Sequence, residues 1–415
     1  MKGIDFCTAM SYVSKEYIEE ADKLRGMTVQ KKNKAIKFAC LAASLTIILF
    51  AGAVGAHRIY KGSKLKALPM LSVENDISNG NGFEGYLALN ISELVNENPW
   101  DEAKSLKALP VYKNPVTYNE MQRPANADFD KMRERLKEIA ERFGLSEQDY
   151  AISDDSPDEE RKEVITKKLI DAGGSVPQGY FDPTSLIAET GSMTIKVFAD
   201  LSVSIDFEPA LELPKDIHCS FNSSYEDCLR AAEYFKAEFE NIIGFNDPII
   251  NINGGDRDIY GEQKLTVSFY DNSDSYLERI LNYNFSTVTF SCYEDEKLHG
   301  IRIMSPDLTQ KVGDYPIISV SEARAMLENG EYINDNNNDI KKINAVNVEK
   351  IELVYRQDRY FMPYYKFYVK SYDYHLEYQG QQLNTYIAYY VPAVKSEYLE
   401  PSQLWSGSFN SRDVG

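Results

Sequence analysis

Three segments with a regular apolar stripe stand out from about residue 120 onward, and each predicts a helix. They run over Asp128–Phe143, from Ser223 to Gly244 and from Ser319 to Gly330. The second and third begin with a serine followed three residues later by a glutamate, the pattern of a capping box. Each segment ends at a glycine, which is typical of a helix C-terminus.

Alternating apolar and polar residues follow each predicted helix and indicate strands. Leu201 to Phe207 is the clearest case, because every second residue is apolar and the others are serine or aspartate. Such alternation is typical of antiparallel sheet with one wetter face. The predicted strands are Met193–Phe198, Leu201–Phe207, Leu265–Tyr270, Phe285–Cys292, Leu298–Met304, Val348–Tyr355, Tyr364–Val369 and Thr385–Val391.

A helix laid across a short antiparallel sheet is an α+β unit, and the pattern repeats three times. We therefore predict an α+β fold of three tandem units at residues 120–210, 211–310 and 311–395. The sequence leaves open whether these are true repeats or one continuous fold. Residues 57–119 are interpreted as a stalk and lead-in, and residues 396–415 as a C-terminal tail.

Residues 38–56 contain no charge and are long enough to cross a bilayer as a helix. Six Lys or Arg lie within fifteen residues on the N-terminal side and four on the other. The positive-inside rule then predicts a cell-membrane protein with a cytoplasmic tail at 1–37 and an extracytoplasmic C-terminal region. A cleaved signal peptide is the alternative, but its n-region and apolar run are both longer than usual. An uncleaved single-pass signal-anchor is the favoured interpretation.

The tail contains one predicted amphipathic helix, from Met10 to Arg25. Its apolar stripe is a candidate interaction face for the membrane surface or for a cytoplasmic protein such as a sigma factor. The alternative is a solvated juxtamembrane segment without a partner. The stripe consists of Met10, Val13, Tyr17, Ala21 and Leu24.

Composition narrows the functional classes. The net charge of −19 argues against nucleic-acid binding, which depends on cationic side chains neutralising phosphates. Three cysteines follow the predicted span, so at most one internal disulfide forms, with Cys219 and Cys228 as its candidates. The alternative is that Cys219, Cys228 and Cys292 are small buried side chains.

Sequence motifs for catalysis are missing. The four histidines have no zinc-ligand spacing, and the G-x-S-x-G, P-loop and dinucleotide patterns do not occur. The polar run Asp335–Asp339 lacks the glycine and glutamate of a calcium loop, and Asn253–Asp256 is interpreted as a hairpin turn. We therefore expect no enzyme, no catalytic residue, no cofactor and no metal site.

The most tyrosine-rich region runs from Tyr355 to Tyr398 and holds 12 of the 29 tyrosines. On the predicted strand Tyr364–Lys370, one face presents Tyr364, Lys366 and Tyr368. Exposed rings beside lysines predict a candidate surface for an envelope glycan or peptide. The alternative is cross-strand aromatic packing without a ligand.

Several short motifs are distinctive: Asn98-Pro99-Trp100, Leu109–Pro115, Asn282–Phe285, Asp314–Ser319, Pro363–Val369, Tyr389–Val394 and, in the tail, Tyr17–Arg25. They resemble those of a group of uncharacterised single-pass membrane proteins of Gram-positive, clostridia-type bacteria. The tail-plus-span layout is similar to that of membrane-bound anti-sigma factors, although Cys7 has no histidine partner of the zinc-binding type. The last unit, Ser319–Val394, resembles a PepSY module.

These observations lead to three functional hypotheses. The first is an outer sensing or protein-interaction domain that signals through the tail in the manner the anti-sigma resemblance implies. The second is an envelope binding or inhibitory module of PepSY type with the tail only as an anchor. The third is an envelope hydrolase whose carboxylate pair the sequence does not single out.

Overall fold

The computed structural model describes residues 68–73, 86–118, 123–257, 260–333, 347–357 and 359–400. The chain divides into two compact units, Met1–Ala67 and Leu68–Gly415, and every described residue belongs to the second. The predicted tail and the predicted span therefore lie outside the described residues. Within the described ranges, no helix is long and apolar enough to cross a membrane.

The described part has the α+β composition that the sequence predicts, and every pairing between its named strands is antiparallel. The strands are β1 (Tyr86–Ala88), β2 (Ala108–Lys113), β3 (Ala151–Asp154), β4 (Ser185–Glu189), β5 (Met193–Phe198), β6 (Val203–Glu212), β7 (Pro248–Arg257), β8 (Gln263–Asp271), β9 (Thr287–Cys292), β10 (Lys297–Met304), β11 (Lys311–Pro316), β12 (Val348–Gln357), β13 (Tyr360–Tyr378) and β14 (Gln381–Pro392). The helices are α1 (Phe129–Arg142), α2 (Glu159–Asp171), α3 (Tyr225–Glu238), α4 (Glu240–Ile243), α5 (Tyr276–Phe285) and α6 (Val320–Glu328).

All of these strands join one sheet in the order β11-β2-β13-β14-β1-β7-β8-β9-β10-β6-β5-β4-β3, with β12 paired to β13. The sheet narrows where β1 meets β7, because Ala88 and Arg257 are the paired residues there. Strand β6 pairs with β10 across the predicted boundary at residue 210. The three predicted units thus contribute to a shared sheet, and their boundaries stay a prediction.

One helix start follows the predicted capping chemistry, one lies at the predicted residue, and one differs by a residue. The Asp128 side chain accepts the Lys131 amide at the start of α1, and Ser319 forms the predicted capping box with Glu322. Helix α3 begins after Ser224, whose side chain accepts the Asp227 amide. The prediction chose Ser223, but the Ser223 hydroxyl accepts the Ser220 amide and serves the loop before the helix.

Two further predictions are corrected by the structure. Phe285 ends helix α5, so the strand predicted over Phe285–Cys292 begins only at Thr287. The predicted hairpin turn Asn253–Asp256 lies within β7, where Gly254 and Gly255 have φ values of 130° and 101°. A Cβ on Gly255 would lie 1.9 Å from the Glu93 carbonyl oxygen. The glycines therefore allow the segment after β1 to cross β7 at close range.

The helices cover the sheet in two groups. Helices α1, α3 and α4 pack with β4 to β10 around one apolar core, which includes the stacked rings of Phe235 and Phe290 at 4.5 Å. Helices α5 and α6 pack with β2, β12, β13 and β14 around a second core. A third cluster, which contains Leu71, Tyr315 and Leu399, covers the opposite face of β13 and β14. These two strands are therefore buried on both faces.

Candidate functional site

The predicted aromatic surface lies on β13 and faces the interior. Tyr364 and Tyr368 are only 1% and 4% exposed, and Lys366 is partly buried beside them. The cluster that contains Leu71 and Leu399 covers Tyr364, while Tyr368 packs in a smaller cluster with Leu89. This corrects the expectation of a solvent-exposed surface. The alternating pattern of the strand predicted an exposed face, but segments distant in sequence pack over it.

Tyrosine rings nevertheless alternate with the cationic side chains of Lys366 and Arg356 on this face and form a row inside the fold. The Lys366 ammonium lies 4.9 Å from the ring centre of Tyr368 and 5.7 Å from that of Tyr390. The Arg356 guanidinium lies 4.7 Å from the Tyr390 ring and 5.8 Å from that of Tyr364. Each such contact stabilises the fold by about 0.5–2 kcal/mol. The alternating pattern therefore serves packing between β12, β13 and β14.

A buried carboxylate, Glu352 on β12, ends this row. It accepts hydrogen bonds from the Asn96 amide at 2.7 Å and the Tyr368 hydroxyl at 2.8 Å, and it pairs with the Lys350 ammonium at 2.8 Å. Burial raises the pKa of the Glu352 carboxyl, but the Lys350 charge and the hydrogen bonds outweigh burial and hold that pKa below its usual value. A carboxylate held ionised by three partners acts as a structural anchor rather than as a general acid.

Three free cysteines line a partly enclosed cavity of about 140 Å³ between the start of α3 and the end of β9. Cys219 precedes α3, Cys228 lies in its first turn, and Cys292 is the last residue of β9. The rings of Phe221 and Tyr293, 5.3 Å apart, place the loop that contains Cys219 beside the end of β9. The sequence offered Cys219 and Cys228 as a candidate disulfide, with small buried side chains as the alternative, and the structure shows all three cysteines free and buried.

Burial keeps two of these thiols protonated at neutral pH. It raises the pKa of Cys228 to about 12. The pKa of Cys292 is also raised, first by its hydrogen bond with Cys219 and then by burial. Within the described ranges, no group of three or more His, Cys, Asp and Glu side chains is arranged to hold a metal ion. What the cavity offers chemically is a cluster of three buried thiols.

A second, polar cavity of about 510 Å³ lies at the far end of the sheet, between β3, α2 and the adjacent rings of Tyr180 and Phe181. Its lining carries both signs of charge, from Arg123, Asp154, Asp155, Asp158 and Arg161.

The carboxylates of this polar cavity all have structural hydrogen bonds. Asp158 caps α2 by accepting the Arg161 amide at 2.8 Å, and Asp154 accepts the Ser156 amide at 2.9 Å. Asp155 accepts the Thr184 amide at 2.6 Å, and together with its other hydrogen bonds this outweighs burial and lowers its pKa. The arrangement fixes the loop between β3 and α2, and no observation on these carboxylates favours the hydrolase hypothesis.

Strand β3 and helix α2 together form an exposed surface that we call the distal edge. Among the described strands, β3 is hydrogen-bonded only to β4, at the end of the sheet, and all four of its residues are exposed. Helix α2 has no fully buried residue, and its Ile165 and Leu169 are half-buried. Ile152, Val164 and Ile170 are 43%, 48% and 59% exposed. The distal edge therefore combines unpaired backbone groups with unburied apolar side chains.

Sequence reasoning missed the distal edge, although one signal for it was present. Asp158 is followed by two glutamates, the acidic first turn that is typical of a helix N-terminus. The predicted tail face (Met10, Val13, Tyr17, Ala21, Leu24) lies outside the described residues and stays a prediction.

Comparisons with known proteins add no functional information. No protein-family model and no curated protein sequence matches the chain. Among solved structures, the chain is similar to the crystal structure of an uncharacterized protein from Eubacterium rectale, with 12% identity and a TM-score of 0.28. The match covers 70% of this chain and 84% of that protein. A likeness at this level carries no argument about fold or function.

Proposed function

We propose that the chain is a single-pass membrane protein whose extracytoplasmic α+β domain binds a protein partner at the distal edge. We further propose that the tail at 1–37 carries a cytoplasmic contact through its apolar stripe, in the anti-sigma-like arrangement that the resemblance implies. The observation that supports the outer contact is helix α2, where Val164 and Ile170 are 48% and 59% exposed and where even Ile165 and Leu169 are only half-buried.

A helix whose apolar packing is limited to two half-buried side chains, Ile165 and Leu169, gains little stability from the fold. An isolated helix of 13 residues is marginal in water, and most helical stability in proteins comes from packing an apolar face. An exposed apolar helix beside an open strand edge is typical of a surface that a second chain covers. The distal edge is therefore the part of the described surface that is best suited to a partner.

The partner that fits this surface is an extended segment of another protein. The open side of β3 offers backbone donors and acceptors for strand addition. Apolar side chains of the added segment would then contact Ile152 on the strand and Val164 on the helix. The polar cavity beside them, with Arg123 and Arg161 among its lining, suits the polar end of such a segment.

Site-specific photo-crosslinking in the full-length, membrane-bound chain tests this contact. A photoreactive amino acid replaces Ile152 or Ile170, and replacement of Leu229, which is 39% exposed on α3, is the matched control. We expect an adduct with a second polypeptide from the first two positions and none from the third. We expect Val164→Asp to reduce the adduct at Ile152. Equal adducts at all three positions, or none at Ile152 and Ile170, would contradict the proposal.

Thiol labelling in intact cells tests the proposed orientation. Cys219, Cys228 and Cys292 are buried, so an exposed reporter, Ser175→Cys, is added to the outer domain. A membrane-impermeant maleimide is expected to label the reporter in intact cells and Cys7 only after the cells are permeabilised. Labelling of Cys7 in intact cells would place the tail outside and refute the anchor topology.

The contribution of the tail is tested separately. Val13→Asp and Tyr17→Asp place charges in the apolar stripe of the full chain, whereas Glu16→Gln alters its polar side. We expect the first two changes to abolish a cytoplasmic crosslink from the neighbouring position Ser14 and the third to leave it intact. If no such crosslink forms, the tail is only an anchor, as the PepSY-type alternative predicts.

A further inference from the structure

We propose that Cys219 and Cys292 form a disulfide when the protein meets a small-molecule disulfide oxidant, with Cys228 left as a free thiol. This assigns a modification site to the 140 Å³ cavity and is independent of the distal edge. The bond would join the loop before α3 to the end of β9, two segments separated by 72 intervening residues.

The geometry selects this pair among the three thiols. Cys219 and Cys292 line the same cavity, and each is only 4% exposed. Their segments are held together by the rings of Phe221 and Tyr293, whose centres are 5.3 Å apart. The Cys228 thiol instead donates to the Ser223 carbonyl oxygen within its own N-terminal turn, at 4.0 Å. Because Cys219 also lies near Cys228, a bond between those two is the competing outcome.

Thiol–disulfide exchange accounts for every atom in this step. The Cys219 thiol loses its proton and attacks one sulfur of the oxidant, whose S–S bond breaks and releases one protonated thiol. The Cys292 thiol then loses its proton and attacks the Cys219 sulfur in the mixed disulfide, which releases the second thiol. Two electrons and two protons pass from the protein to the oxidant. Cys292 is assigned the second attack because its raised pKa makes it the slower nucleophile.

The second step has a predictable pH dependence. The raised pKa of Cys292 makes its thiolate a minor species at neutral pH, so ring closure should be slow and should accelerate as the pH rises. The cavity beside the thiols gives a compact disulfide reagent access to Cys219.

Thiol counting on the full-length chain tests the proposal. Cys7→Ser and Cys40→Ser remove the two cysteines outside the cavity and leave three thiols. After treatment with oxidised glutathione and alkylation under denaturing conditions, we expect one alkylated thiol, at Cys228, and a peptide pair linked through Cys219 and Cys292. We also expect linkage to form faster at about pH 9 than at about pH 7.

Other outcomes would overturn the proposal. These are three remaining thiols, a stable glutathione adduct without a link, or a peptide pair joined through Cys219 and Cys228. Cys228→Ser is the matched variant and should still lose both remaining thiols, whereas Cys292→Ser should form only the glutathione adduct. Because the peptide map of the three-thiol chain gives the answer by itself, the proposal is decided even if a cysteine variant does not fold.

Discussion

Glu352 ends the buried row of tyrosines and cations on β12 and β13, and its replacement by glutamine is expected to weaken the fold strongly. The carboxylate is only 6% exposed and has three partners, Asn96, Tyr368 and Lys350. Glutamine has nearly the same shape but only one acceptor oxygen and no charge. Glu352→Gln thus removes the ion pair and at least one hydrogen bond without leaving a cavity.

The magnitude follows from these contacts. A hydrogen bond to a charged group contributes about 1.5–3 kcal/mol, and removing one partner of a buried ion pair costs about 3–5 kcal/mol. Lys350 is partly exposed and regains some hydration after the substitution, which places the cost at the lower end. We expect Glu352→Gln to lower the free energy of unfolding by about 3 kcal/mol at neutral pH.

The loss of unfolding free energy in Glu352→Gln should also depend on pH. The pKa of Glu352 is lowered in the folded chain, so its ionised form stabilises the fold above the unfolded-state pKa of about 4.3. That contribution is lost as the pH falls through the folded-state pKa, because the carboxyl then becomes protonated in both states. The difference in unfolding free energy between wild type and Glu352→Gln should therefore be largest at neutral pH and decrease in acid.

Denaturant unfolding of the full chain in detergent, followed by far-UV circular dichroism at about pH 7 and about pH 3, measures both quantities. Glu349→Gln is the matched control, because Glu349 is exposed on the same strand and should cost at most about 0.5 kcal/mol. The reasoning is refuted if Glu352→Gln behaves like this control at pH 7, or if its cost is unchanged in acid.

Two further substitutions test local features of the fold, with unfolding free energy as the readout. Gly255→Ala should cost about 3 kcal/mol because its Cβ would meet the Glu93 carbonyl oxygen at 1.9 Å, whereas Gly330→Ala, at a positive φ but in open space, should cost about 1 kcal/mol. Equal losses of unfolding free energy for Gly255→Ala and Gly330→Ala would show that the segment containing Glu93 does not cross β7 at close range. Ser319→Ala should cost about 1 kcal/mol by removing the capping box with Glu322, while Ser319→Thr should retain most of that energy. An alanine variant as stable as the threonine variant would argue against the cap.

Features that depend on neighbouring residues were predictable from the sequence. The cap of α6 joins Ser319 to Glu322, and the prediction is confirmed because both partners lie within one turn. The same logic chose the wrong serine for α3, since adjacent serines at 223 and 224 give the same local pattern. What separates them is that Ser223 bonds to Ser220 in the preceding loop.

Features that depend on distant segments were not predictable. Alternation showed correctly that Tyr364, Lys366 and Tyr368 share a face of β13, but it contains no information on what covers that face. Leu71 and Leu399, from opposite ends of the described chain, form a bridge and pack there. Likewise, the sequence offered three cysteines, and only the antiparallel pairing of β9 beside the start of α3 brings Cys292 to Cys219.

Two of the quoted motifs, Asn98-Pro99-Trp100 and Asn282–Phe285, contact strands β12 and β13. Asn98 donates to the Leu353 carbonyl oxygen at 3.2 Å, and Trp100 packs on Tyr365 with ring centres 5.9 Å apart. Asn284, on helix α5 between β8 and β9, accepts the Tyr355 amide at 2.9 Å. These side chains supplement the narrow pairing of β1 with β7, because they fix segments next to β1 and β9 against β12 and β13. Their role in the described residues is therefore structural, and the distal edge and the cysteine cavity lie away from them.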